Sequence, residues 1–488
     1  MVRVRAHALS ICVLLPACAQ LAGIDKTTGG GDDTPTGSSL TVERYSIGAT
    51  IVEAPQPIAG LSLPTFFVGS DAVPGVASGS NAWTTDQVAG SVLFQLPGAP
   101  PELVRLPTPA VTELFAQLER PGATPPPAAA TVDIELSLPS AVVAGETFEI
   151  LDVGAWSTHA LAPAVADTAI AAPGTLYASF ASATGRPLDA IGAADAILAL
   201  RHTGPLLSAV LDLPGFAQTG ADAISGTLVA LPATQTLSAT VAAETGSTRL
   251  ATVAPQSPNP PVVSWSLQAA PGYRIASTSG VQLTAAAPPV TDLSVTAMYA
   301  NPFATVRDWH TVFTWGIHRD RAYTPPVGAL AAQAIGLTAQ LVTIREPGDG
   351  TAADDASLDA GLPTMVTLGA TPLVTDGLAL TDDPATPLVV TVASDHPTNT
   401  LYQVSVIETT LAADGVTQLA TTTFAYTGTD PTFTLPAGTL VAGHTYRLRA
   451  QCVEGGFLAV ATGDLTMRAL PLSFGLLDSG VFTVGAPR

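Results

Sequence analysis

Lysine is almost absent from this 488-residue chain, in which Lys26 stands alone beside 17 arginines. The 18 cationic residues face 39 acidic ones, which gives a formal net charge of −21 at pH 7. A protein that binds nucleic acid needs rows of cationic side chains to neutralise phosphates, so this composition argues against a nucleic-acid partner. An anionic membrane surface is disfavoured for the same reason.

Long hydrophobic runs and helix-compatible stretches are also scarce. After Leu15, the nearest approach to a membrane span is residues 327–344, which glycine, glutamine and threonine interrupt. A buried segment of a folded domain explains that stretch better. The 43 glycines and 42 prolines exclude long helices from most of the chain.

Recognisable catalytic and metal motifs are missing as well. The chain contains no G-x-S-x-G elbow, no H-E-x-x-H pair and no P-loop. His310 and His318 share one strand face but lie about 26 Å apart at ~3.3 Å per residue, too far to share a metal. The acidic loop at 346–361 lacks the spacing of a calcium loop. We therefore expect no cofactor, no metal site and no enzymatic activity.

The first residues have the pattern of an export signal. Residues 1–7 (MVRVRAH) are basic, residues 8–15 (ALSICVLL) are apolar, and Ala17 precedes Cys18. This pattern resembles a bacterial lipoprotein signal, which implies that Cys18 carries a lipid that anchors the chain to a membrane. Ala19 implies, by resemblance to Gram-negative lipoproteins, the outer membrane or cell surface. Residues 17–19 also fit an A-x-A cleavage site, and the alternative is a secreted or periplasmic soluble protein.

The chain has too few cysteines for a disulfide to cross-link its folded domains. Cys12 leaves with the signal and Cys18 takes the lipid, so Cys452 remains alone and no internal disulfide forms in the mature chain. Alternation along its strand points Cys452 inward, which predicts an inert buried thiol. We expect stability to come from packed cores.

Short β-rich runs, separated by glycine and proline at roughly 8–15 residue spacing, dominate the rest of the chain. This pattern predicts an all-β fold of several serial β-sandwiches of the immunoglobulin or fibronectin type III-like kind. The predicted divisions are 1–17, the signal peptide; 18–40, the lipidated cysteine and a flexible tether; 41–120, a β-rich domain with one short helix; 121–130, a proline linker; 131–300, one or more sandwiches; 301–380, a β-rich segment with the acidic loop; and 381–488, a C-terminal sandwich.

The helix expected within 41–120 rests on a local pattern. Thr108 can cap a helix and Pro109 suits a first helical turn. The apolar residues that follow have helical spacing, namely Val111, Leu114, Phe115 and Leu118.

One corner motif indicates the fold of the C-terminal domain. Residues 440–446 (LVAGHTY) are similar to the L-x-P-G-x-x-Y corner of fibronectin type III domains, with Ala442 in place of the proline. The resemblance covers about residues 387–487 and implies that the Tyr446 hydroxyl bonds to upstream backbone. A related segment, 142–150 (VVAGETFEI), predicts a second sandwich, in which Phe148 takes the place of the tyrosine.

The most unusual stretch is residues 307–321 (RDWHTVFTWGIHRDR), where alternation places large aromatic rings on one strand face. One hypothesis is a platform that stacks on sugar rings, with charged groups at its rim. We favour the simpler interpretation, a core strand with buried rings, because large aromatics usually anchor cores. The candidate ligand-binding residues are Trp309, Phe313, Trp315 and Arg319.

The layout as a whole resembles exported lipoproteins of GC-rich Gram-negative bacteria. We expect a non-catalytic cell-surface lipoprotein that serves as a structural or binding module, with a glycan or a surface protein as a possible partner. One alternative is a carbohydrate-binding or polysaccharide-processing accessory protein that uses the aromatic strand. Another is an extracellular hydrolase whose site has no recognised motif, since carboxylates cannot be paired from sequence alone.

Overall fold

A computed structural model describes most of the chain beyond residue 37. The described ranges are 38–47, 51–55, 64–68, 71–78, 82–85, 91–96, 99–106, 111–118, 125–127, 129–154, 156–182, 190–193, 195–271, 280–326, 330–331, 333–347, 354–356, 360–396, 399–415, 417–457, 460–462, 465 and 468–485. The predicted signal peptide, Cys18 and most of the predicted tether lie outside them. Within these ranges, no helix has the length and apolar character needed to cross a membrane.

The all-β prediction is confirmed: the described chain folds into several β-sheets, paired face to face. The first unit, which we call the N-terminal module, contains strands β1 to β9. Their bounds are β1 (Ser38–Ile47), β2 (Ile51–Pro55), β3 (Thr65–Val68), β4 (Asp71–Pro74), β5 (Val76–Ser78), β6 (Ala82–Thr85), β7 (Ser91–Gln95), β8 (Glu102–Arg105) and β9 (Val111–Leu118).

The helix predicted at 108–118 is wrong, because Val111–Leu118 is strand β9. This strand pairs in parallel with β1, with Ser39 opposite Val111 and Leu40 opposite Thr112. Eight residues of helical spacing are too few to outweigh tertiary pairing. The pairing gives the backbone groups of the segment partners on the neighbouring strand.

The second unit, sandwich 1, spans 131–230. Its strands are β10 (Thr131–Ser137), β11 (Glu146–Asp152), β12 (Ser157–Leu161), β13 (Ala169–Leu176), β14 (Ala181–Ser182), β15 (Ala196–Thr203), β16 (Leu206–Pro214), β17 (Ala221–Thr227) and β18 (Val229–Ala230). A three-stranded sheet, β13-β10-β17, faces a six-stranded sheet, β14-β12-β11-β15-β16-β18. Aliphatic side chains from both sheets fill the space between them.

Sandwich 2 spans 235–356 and contains the one α-helix of the described chain. Its elements are β19 (Gln235–Val241), α1 (Ala243–Val253), β20 (Val262–Ala270), β21 (Val281–Ala286), β22 (Leu293–Tyr299), β23 (His310–Tyr323), β24 (Ile335–Arg345) and β25 (Asp354–Ala356). The sheet β22-β19-β25 covers one face of β21-β20-β23-β24. Within the predicted acidic loop, Asp354–Ala356 forms β25, which pairs in parallel with β19.

Sandwich 3 spans 363–484. Its strands are β26 (Pro363–Leu368), β27 (Thr371–Pro372), β28 (Leu378–Leu380), β29 (Leu388–Ser394), β30 (Leu401–Leu411), β31 (Gln418–Gly428), β32 (Thr432–Leu435), β33 (Thr445–Phe457), β34 (Arg468–Asp478) and β35 (Phe482–Val484). The sheet β27-β26-β29-β32 faces β34-β33-β30-β31 across a core of aliphatic and aromatic side chains. This sandwich therefore begins at Pro363, ahead of the expected boundary at 381.

The corner that suggested a fibronectin type III-like domain has the expected geometry. Tyr446 is fully buried at the start of β33, and its hydroxyl accepts a hydrogen bond of 3.0 Å from the backbone N–H of Val441. In sandwich 1, Phe148 has no hydroxyl, and the guanidinium of Arg201 lies 5.4 Å from its ring centre. Arg201 donates to Glu146 and to the carbonyl oxygens of Ser140 and Ala141. A buried ion pair therefore ties down this second corner.

One sheet runs through three of the four units. Twelve of its 14 strands follow the order β21-β20-β23-β24-β34-β33-β30-β31-β8-β7-β3-β4, and β28 and β35 pair beside this path. Strand β24 of sandwich 2 pairs with β34 of sandwich 3, and β31 of sandwich 3 pairs in parallel with β8 of the N-terminal module. The units are serial in sequence, but backbone hydrogen bonds cross the divisions that we expected at 120–130 and 380.

Candidate functional site

The aromatic residues singled out in the sequence are core residues. Phe313 and Trp315 on β23 have no exposed surface, and Trp309, just before the strand, is 3% exposed. Phe313, Trp315 and Ile317 share the face that packs into sandwich 2, as the alternation predicts. Since a sugar ring stacks only on an exposed aromatic face, these buried rings do not form such a platform. The structure therefore favours the core interpretation.

Trp309 differs from the other two rings because it reaches a second domain. Its ring centre lies 6.1 Å from that of Trp156 in sandwich 1 and 5.1 Å from that of Phe303 in sandwich 2. Trp156 and Asp308, the residue before Trp309, adopt the left-handed conformation, with φ of 50° and 55°. Such a conformation is unfavourable for non-glycine residues and persists where surrounding contacts hold it. We call this contact region the Trp joint.

An ion pair closes the Trp joint on one side. Arg307 donates through Nε to Asp212 Oδ2 at 2.8 Å and through Nη2 to Asp212 Oδ1. The same guanidinium lies 6.0 Å from the centre of the Trp309 ring. Arg307 is largely buried, and a two-point contact with a carboxylate fixes the relative orientation of both side chains.

Further contacts extend the boundary between sandwiches 1 and 2. His202 Nε2 lies 3.0 Å from the carbonyl oxygen of Gln282, and Gln282 Nε2 donates to the carbonyl oxygen of Pro205. Strand β15 is buried along nearly its whole length, because one of its faces packs inside sandwich 1 and the other against sandwich 2. When both faces of a strand are buried, its sequence is apolar at consecutive positions, as in AILAL at 196–200.

Arginine–aspartate pairs also join sandwich 2 to sandwich 3. Arg249 on α1 makes two hydrogen bonds of 2.8 Å to Asp395 and a third to the carbonyl oxygen of Ala360. Arg321 on β23 pairs with Asp376. Arginine suits these positions better than lysine because its planar guanidinium matches a carboxylate with two parallel bonds. The sequence contains many more arginines than lysines, but nothing near Arg249 or Arg321 indicates their carboxylate partners.

Arg319, the fourth candidate residue, has a local structural role. Its Nε donates to the carbonyl oxygen of Asn259 at 3.0 Å, and its Nη2 donates to that of Ser257 at 2.7 Å. These bonds hold the segment between α1 and β20 against β23. The structure therefore brings Trp309, Phe313 and Trp315 together in one core and places Arg319 apart from them.

The serine and histidine near Trp156 do not form a nucleophilic pair. Ser157 is fully buried, and its hydroxyl has no hydrogen-bond partner in the described part of the chain. His159 contacts Ser179 instead, with 3.1 Å between Nδ1 and Oγ. The Ser179 hydroxyl donates to the carbonyl oxygen of Leu176, so the imidazole does not take its proton.

The remaining candidates for chemistry are the thiol of Cys452 and a metal site. Cys452 is buried, and desolvation raises the pKa of its thiol to about 12, which keeps it protonated and unreactive. Across the ranges that the structure describes, no group of three or more histidine, cysteine, aspartate or glutamate side chains is arranged to hold a metal.

Comparison with known proteins adds no assignment. No protein-family model matches the chain. No curated protein matches it either.

Proposed function

We propose that this protein is a non-catalytic structural module of the cell surface, held to the outer membrane by a lipid on Cys18. The export pattern of residues 1–18 and the flexible composition of 19–40 support the anchor. In this proposal the body of joined sandwiches acts as a rigid support that carries a binding face away from the membrane.

The observation that carries this proposal is the Trp joint. Domains on flexible linkers share small polar interfaces, whereas sandwiches 1 and 2 share one apolar cluster and a buried ion pair. The sheet that continues from sandwich 2 through sandwich 3 into the N-terminal module extends the same rigidity. Such a body resists bending between domains, which a spacer or support requires.

Small-angle X-ray scattering tests the rigidity. We expect the curve of the purified chain to fit one conformation of residues 125–485, with no ensemble of domain orientations. Arg307→Ala, which leaves Asp212 without its partner, should increase the maximum dimension or broaden the ensemble. Arg319→Ala is a matched control, because the bonds of Arg319 to the carbonyl oxygens of Asn259 and Ser257 lie within sandwich 2. A wild-type curve that needs several domain arrangements would contradict the proposal.

Metabolic labelling with a palmitate analogue tests the anchor separately. The wild-type protein should take up the label and fractionate with the outer membrane, and Cys18→Ala should do neither. Each buried CH₂ contributes about 0.8 kcal/mol, so several acyl chains hold a protein stably at a membrane. An unlabelled wild-type protein that begins at Gln20 would instead support the soluble alternative.

A further inference from the structure

The outer face of sandwich 3 carries a group of polar side chains that are partly or fully buried. Strands β30 and β33 pair with Gln403 opposite Gln451 and with Ser405 opposite Arg449. Alternate residues of a strand share a face, so these side chains lie opposite the core face that holds Val404 and Ala450. We call this group the polar patch; it consists of Gln403, Ser405, Arg447, Arg449 and Gln451.

Arg447 is the least satisfied member of the polar patch. It is 8% exposed, and its Nε has no hydrogen-bond partner in the described part of the chain. Its ion-pair partner is Asp478, whose Oδ1 lies 3.7 Å from Nε, within ion-pair distance but beyond hydrogen-bond distance. Burial lowers the pKa of the Arg447 guanidinium; the charge of Asp478 opposes that shift, and the charge of Arg449 adds to it.

Asp478 pairs with Arg447 only at the longer distance, because closer donors already occupy both of its oxygens. Arg449 donates to both of its oxygens at 2.8 Å, and the backbone N–H of Thr338 donates to Oδ2 at 2.9 Å. Two guanidinium groups therefore share one fully buried carboxylate. The cluster keeps one net positive charge, within a protein whose overall charge is −21.

A buried guanidinium N–H without an acceptor is costly, and proteins normally satisfy such groups. A planar guanidinium is best satisfied by an oxyanion, which accepts two of its N–H groups at once. Ile407 and Leu476 lie on the same face and are themselves buried, so the polar patch has apolar surroundings in which an unsatisfied N–H is costly. Gln403 and Gln451 add amide donors and acceptors along the same face.

We propose that the polar patch binds a small ligand that carries a carboxylate, sulfate or phosphate group, with Arg447 as the principal contact of the oxyanion. Arg449 contributes positive charge while its two hydrogen bonds to Asp478 stay in place. Ser405, Gln451 and Gln403 continue away from the arginines and offer contacts to a hydroxylated remainder of the ligand. This proposal is independent of the lipid anchor and of the rigidity of the joints.

Thermal unfolding of the full chain in different anions tests the proposal. Sodium sulfate, phosphate, acetate and glucuronate are each compared with sodium chloride at equal ionic strength. We expect at least one of them to raise Tm saturably, because a ligand that binds only the folded state stabilises it. A larger rise with glucuronate than with acetate would identify a sugar acid as the better ligand, and a rise confined to sulfate or phosphate would identify those groups.

Variants identify the residue responsible. Arg447→Met should abolish the anion-dependent rise, and in chloride it should be close to wild type in stability because Arg449 still pairs with Asp478. Arg105→Met, which removes a half-exposed arginine paired with Asp430, should keep the full response. If Arg447→Met does not fold, Arg447→Lys replaces it in the test. Lysine keeps the positive charge but lacks the planar guanidinium, so this variant should show a smaller anion-dependent rise in Tm. An equal response in wild type and the Arg447 variant, or none in wild type, would overturn the proposal.

Discussion

Replacing Trp309 by alanine is the sharpest test of the Trp joint. The ring is 3% exposed and lies between Trp156, Phe303 and the guanidinium of Arg307. Truncation of a buried tryptophan to alanine costs about 3–5 kcal/mol, because it removes apolar burial and leaves a cavity. The loss should fall on the contact between sandwiches 1 and 2, and Arg307 should lose its aromatic partner as well.

Hydrogen–deuterium exchange read by mass spectrometry locates that loss. Trp309→Ala should speed amide exchange in sandwich 1, along β12 and β15, as well as in sandwich 2. Trp315→Ala is the matched control: it removes an equally buried ring from the interior of sandwich 2, so faster exchange should concentrate in β20 and β23. Denaturant unfolding gives the free-energy change of each variant. A Trp309→Ala loss below about 1 kcal/mol, the range of an ordinary surface substitution, would refute the reasoning.

Three further predictions concern single groups. Tyr446→Phe should destabilise sandwich 3 by about 1 kcal/mol in denaturant unfolding, through loss of the hydrogen bond from Val441, and an unchanged midpoint would contradict the corner. Arg201→Met should cost more, about 2–3 kcal/mol, because Glu146 loses its charged partner while it keeps the donors of Val143 and Thr203. A loss no greater than that of Tyr446→Phe would show that the ion pair does not hold the corner. In a Cys18→Ala chain without residues 1–17, Cys452 should resist a thiol reagent at pH 8 until the protein is unfolded, and rapid modification of the native protein would show that it is accessible.

The sequence predicted features that depend on strand alternation and on local corners. Alternation placed Phe313 and Trp315 on one buried face, and a seven-residue motif located Tyr446 at the end of a sandwich. Both signals are local: the side-chain period of a strand and the backbone turn before it appear within a few residues. The all-β class followed from short runs between glycine and proline.

The errors and omissions involve contacts between distant segments. Val111–Leu118 became a strand because β1, some 70 positions earlier, offered a partner. The Trp joint requires contact between Trp156 and Trp309, and the local sequence around either tryptophan gives no sign of that contact. The carboxylate partners of Arg307 and Arg249 are equally remote in sequence. The arrangement of the polar patch depends on the register between β30 and β33, which a single sequence does not specify.

The pairing of β8 with β31 has a consequence for how the chain folds. Thr427 donates to Glu102 across 325 positions of sequence, so this edge of the N-terminal module forms only after sandwich 3 is present. Contacts of such high sequence separation are slow to form because a long loop must close first. Strands β4, β3, β7 and β8 pair with one another, so a chain made from its amino end leaves only the outer edge of β8 without a partner until β31, in its last quarter, is made. During that interval this edge of β8 is open to pairing with other chains.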